Sequence, residues 1–93
     1  MTVQLPPLPS GLTHAGAQAC VERAAAAMQG LGAGTPVQVD AAALQQFDSS
    51  AIAVLLAIRR MAVERGVDLR ILGLPSRLRE LSTLYGVSEL LPG

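Results

Sequence analysis

The sequence has no tryptophan and only one phenylalanine (Phe47), one tyrosine (Tyr85), one histidine (His14) and one cysteine (Cys20). Two aromatic rings cannot form a stacking platform for bases or sugars, which removes several binding-module readings. A single cysteine excludes an intrachain disulfide and a multi-cysteine metal site, and a lone core thiol suits a reducing compartment such as the cytoplasm. Neither a metal nor another cofactor is expected. An excess of one charge is also missing, since seven basic residues, all arginine, balance seven acidic ones. No broad footprint for nucleic acid or an anionic membrane surface follows from that balance. No apolar run approaches the roughly 20 residues needed to span a bilayer, and the N-terminus lacks the basic and apolar layout of a secretory signal. The chain is therefore expected to be soluble, or peripheral to something, without inserting into a membrane directly.

What is present fits one small packed domain: 93 residues, 51% hydrophobic and 15% charged. Much of the apolar fraction is alanine, which contributes little burial per residue, so modest stability is expected unless a partner adds to it. Residues 1–11 pair Val3 and Leu5 with Pro6, Pro7 and Pro9, which cannot donate to a sheet ladder; at best this is a short edge strand. Thr13 is a plausible N-cap for a first helix with Ala17, Cys20, Val21, Ala24, Ala27, Met28 and Leu31 at helical spacing, ended by Gly30, Gly32 and Gly34. Residues 36–40 read as a strand with Val37 and Val39 on one face. Residues 67–72 read as another, alternating Val67, Leu69 and Ile71 with Asp68 and Arg70. A third helix from Pro75 carries Leu78, Leu81, Leu84 and Tyr85 on one face, with Gly86 at the left-handed stop and Ser88 capping a last turn through Leu91. Strands alternating with helices indicate an α/β layer fold with parallel pairing across the central helix.

That central helix is the best-formed element. Phe47 to Gly66 has a start signal at Asp48, Ser49 and Ser50, a long apolar run, a charged last turn and a glycine stop. On a wheel of about 100° per residue its apolar positions, including Ile52, Val54, Leu55, Ile58, Met61 and Ala62, span more than half the circumference, wider than one sheet contact needs. Two explanations stand: flanking helices take up the surplus, or part of it is a partner-binding face with a small hydrophobic centre and a polar rim. Asp48 or Ser49 can cap the first free backbone N–H groups, and a hydroxyl in this turn is also well placed for phosphorylation.

Catalysis fares worse. A nucleophilic serine needs a base within reach, and His14 would have to cap the wrong helix end or cross the fold to meet Ser49 or Ser50. Cys20 has no basic neighbour before Arg23 and reads as a core thiol. Gly30, Gly32 and Gly34 lack the lysine and helix that a phosphate-binding loop requires.

Asp40, seven residues, then Asp48, Ser49, Ser50 and an apolar helix resemble the core of the STAS domain, and Gly66, the following strand, Pro75 and the Leu78, Leu81, Leu84 helix resemble the rest of that pattern. The likeness covers residues 12–92, with 1–11 as a proline-rich edge segment. It implies a single α/β STAS-like domain, residues 1–93, with a small mixed or parallel sheet, helices packed mainly on one face, and an N-terminal hairpin shortened to Val3–Leu5. The sheet edge is left to the proline segment, a partner or a second copy, so a homodimer is compatible. The ending Leu84, Tyr85, Gly86, Val87, Leu90, Leu91 and Pro92 is similar to the MlaB branch, which implies a noncatalytic subunit that binds the ATPase (MlaF-like) of the Mla phospholipid ABC transporter at the cytoplasmic face of the inner membrane. On that reading Ser49 and Ser50 form the rim of the contact, Ala51, Ile52 and Leu55 supply apolar area, and Asp48 holds the turn. The related branch, the anti-sigma-factor antagonists, implies instead a kinase-type anti-sigma factor as partner and phosphorylation at Ser50.

Overall fold

The computed structural model describes residues 2–87 and residue 90. In chain order the elements are β1 (Val3–Gln4), β2 (Gly11–Leu12), α1 (His14–Met28), β3 (Pro36–Asp40), β4 (Gln46–Phe47), α2 (Ser49–Arg65), β5 (Asp68–Leu72) and α3 (Ser76–Leu84). β1, β3 and β5 form a parallel sheet in that order, with Val3 opposite Val37 and Val37 opposite Leu69. Because the strands follow one another across the sheet without reversal, right-handed crossovers carry both intervening helices to the same face. α1 and α2 accordingly lie against each other.

The other face of the sheet is wet. Along β5 the side chains alternate between exposed (Asp68, Arg70, Leu72) and buried (Leu69, Ile71), so one face packs and the opposite one meets solvent. Gln4, Gln38 and Arg70 share a row on that open face, and Gln4 Nε2 donates to Gln38 Oε1 at 2.8 Å. The packed face buries Val37, Val39, Leu69 and Ile71 against Cys20, Ala24 and Met28 of α1 and Val54, Leu55 and Ile58 of α2.

The proline segment covers the β3 edge. Leu5 N donates to Gln38 O at 2.8 Å and Leu8 N to Asp40 O at 2.9 Å, so the chain runs on beside β3 past the end of β1. Leu5 and Leu8 are buried, while Pro6 and Pro7 face outward and offer no N–H for another strand.

Helix ends follow the expected chemistry with two corrections. Gly66 (φ 69°) closes α2 with Gly66 N on Val63 O and Val67 N on Ala62 O, the paired bonds of a Schellman stop. Gly86 (φ 70°) closes α3 in the same way through Thr83 O and Ser82 O. Thr13 occupies the N-cap position of α1 without a side-chain cap bond. On α3 the buried residues are Leu78 and Ser82, whereas Leu84 is 79% exposed and Tyr85 also faces solvent. The 78–82 spacing turns the core-facing side of this short helix away from Leu84, and the Ser82 hydroxyl is satisfied by Leu78 O at 2.9 Å. The expected cap at Ser88 and the turn through Leu91 lie outside the described residues.

Candidate docking site

Two short parallel strands build the site. β2 pairs with β4, Gly11 opposite Gln46 and Leu12 opposite Phe47, and each strand is followed by one cap residue and a helix. α1 and α2 therefore begin side by side, at His14 and Ser49. The sequence offers little sign of this two-residue ladder, since its residues carry no alternation. It overturns the expectation that His14 lies across the fold from Ser49 and Ser50: with Leu12 opposite Phe47, the two helix starts are neighbours.

Both acids of the Asp40 to Asp48 spacing do the same local work. Asp40 Oδ1 accepts from Ala42 N at 2.8 Å, turning the chain out of β3, and Asp48 Oδ1 accepts from Ser50 N at 2.8 Å, capping α2. The Asp48 carboxyl is held below its ordinary value of 3.8, first by the Ser50 backbone N–H and then by the Ser50 hydroxyl, with burial opposing weakly and the His14 N–H adding to the lowering. Ser50 is half-buried. Ser49 is exposed and, among the described residues, no hydrogen bond holds its hydroxyl.

The apolar part of the expected contact needs correction. Ala51 and Leu55 have no exposed surface and Ile52 has 4%, all three lying in the core cluster. The reason is rotational: 51, 52, 55, 58 and 62 face the sheet and α1, so these residues are taken up by the fold, as flanking elements would require. The side of α2 that meets solvent runs from Ser49 through Ala53, Leu56 and Arg60 to Val63, spaced by three and four residues. Leu56 is half-buried and Val63 is 63% exposed, so apolar surface extends from the Ser49 end through Ala53 and Leu56 and resumes at Val63 beyond the exposed Arg60.

Two further residues border the same end. Phe47, half-buried before the cap, carries the Arg77 guanidinium carbon 5.4 Å from its ring centroid, a cation–π contact that ties the first turn of α3 to the start of α2. Nothing in the sequence links these two positions, 30 residues apart. Cys20 is buried, with Arg23 Nη2 at 3.4 Å from its sulfur. Among the described residues no three His, Cys, Asp or Glu side chains gather as metal ligands, and no helix is long and apolar enough to cross a membrane.

No curated protein and no solved structure matches the chain significantly. A family model described as "Mlab, STAS domain" matches residues 8–92, nearly the whole sequence. The elements from β2 to α3, the Asp48 cap and the glycine stops at Gly66 and Gly86 all fall inside that match, and the chain belongs to the MlaB-like STAS domain family.

Proposed function

We propose that this chain is a noncatalytic STAS subunit that binds the ATPase of an ABC-type phospholipid transport complex of the Mla kind and supports its assembly or activity. It sits in the cytoplasm, held at the inner face of the inner membrane through that partner. Membership of the MlaB-like family supports the reading at the level of the domain. The observation that carries it to a surface is Ser49, whose hydroxyl stands exposed and, among the described residues, uncommitted in the first turn of α2 beside the exposed Ala53 and half-buried Leu56. A small polar donor next to a modest apolar strip is the composition of a protein contact with a hydrogen-bonding rim.

The antagonist reading asks the Ser50 hydroxyl to be a phosphoryl acceptor. Ser50 is half-buried, and the Asp48 carboxylate accepts its backbone N–H at 2.8 Å, which sets a negative charge close by and weighs against ready access. A phosphoryl group there would also bring about two negative charges against the capping carboxylate. The two readings separate in one pair of assays. Coexpressed with the ATPase subunit of the transporter and purified through its own tag, the chain is expected to carry that ATPase with it through size exclusion. Incubated with an anti-sigma kinase and ATP, it is expected to gain no phosphate on Ser50; stoichiometric phosphorylation with no ATPase capture would reverse the assignment.

A further inference from the structure

Within that reading, the chemistry of the partner surface can be narrowed by a cation beside the site. We propose that Arg77 is part of the docking surface and pairs with a carboxylate of the partner protein. Arg77 is exposed, in the first turn of α3, with its guanidinium lying over the Phe47 ring. Contact with the ring restrains the side chain, and its exposure leaves the guanidinium open to a carboxylate, which arginine binds through two parallel hydrogen bonds.

Arg77 makes no ion pair with any described residue. Asp48, the residue after Phe47, accepts the Ser50 N–H at 2.8 Å and forms no ion pair with Arg77. Among the described residues, this end of the molecule thus offers an exposed arginine without an ion pair, together with the Ser49 hydroxyl and the apolar Ala53. The complementary group is an acidic side chain, not a basic or purely apolar one. A rim charge of this kind fixes orientation and partner choice more than it adds raw affinity.

The test measures affinity of the purified chain for the purified ATPase subunit across a range of salt. Arg77→Glu is expected to weaken binding by about tenfold or more and to flatten the salt dependence, as for loss of a complementary charge at an interface rim. Arg77→Gln keeps a side chain over Phe47 without the charge, and is expected to weaken binding less and in the same direction. Arg70→Glu, on the open sheet face, is the control and is expected to bind as wild type. Thermal unfolding of each variant verifies the fold, and Arg77→Gln decides the matter if Arg77→Glu does not fold. Wild-type affinity in a folded Arg77 variant overturns the proposal; if Ser49→Arg still abolishes binding, the ATPase reading stands without it. If the wild-type chain does not bind the ATPase, both fall.

Discussion

At the scale of single residues, Asp48 caps the helix that carries the proposed contact. Its pKa is lower folded than unfolded, so it contributes stability that is fully present above the unfolded value of 3.8 and is lost as pH falls through the lower folded value. Asp48→Asn should therefore lower stability at neutral pH and match the wild type in strong acid. Urea melts at pH 7 and below pH 3 test that convergence, and a difference independent of pH would remove the carboxylate from the account. The identity of Asp48 as cap was legible in the sequence, because Asp-Ser-Ser before an apolar helical run has few other uses. The separate fates of Ser49 and Ser50 were not. Adjacent residues point about 100° apart on a helix, and only the placement of the sheet says which of the two meets solvent.

At the scale of elements, the turns after β3 and β5 lock together. Ala41 N donates to Leu72 O at 2.8 Å, and a Cβ on Gly73 (φ 68°) would fall 2.7 Å from the Ala42 Cβ. Gly30 has a similar φ of 78° with nothing within 4 Å. Alanine at Gly30 should then cost only the left-handed strain, about 1–2 kcal/mol. Gly73→Ala should cost more, adding a steric term of about 1–3 kcal/mol because the opposing atom belongs to another loop close to the backbone. Chemical denaturation of the two variants checks the order; equal losses would mean the loops are not locked. The strands and helices themselves were largely readable from period and punctuation: Val37 and Val39, Leu69 and Ile71, and the stops at Gly66 and Gly86 all fall where alternation and turn chemistry put them. The β2–β4 ladder and the proline segment running on beside β3 were not, because two-residue strands have no period and prolines only say what a segment cannot do.

For the whole molecule, the distinction that matters on α2 is between the side the fold uses and the side it leaves. Sequence alone shows a helix apolar over more than half its circumference and cannot apportion that surface, since flanking helices and a partner demand the same residue types. The structure assigns Ala51, Ile52 and Leu55 inward. Leu55→Ala should accordingly destabilise the domain by about 2–5 kcal/mol, as for a fully buried leucine, while Val63→Ser on the outer side should change stability by no more than about 0.5 kcal/mol. Thermal melts of the pair distinguish core from surface, and a large loss at Val63 would show that this side is packed in solution. In a domain this small a core loss of that size also removes partner binding by unfolding, so only outer-side variants can report on docking.

The most direct measurement is the affinity of Ser49→Arg for the ATPase subunit, taken alongside its thermal midpoint. Ser49 is exposed at the start of α2, so arginine there meets no core atom and opposes the helix dipole by less than about 1 kcal/mol. The expected result is a folded domain with a midpoint close to wild type that no longer retains the ATPase. A folded Ser49→Arg chain that binds with wild-type affinity would contradict the docking surface.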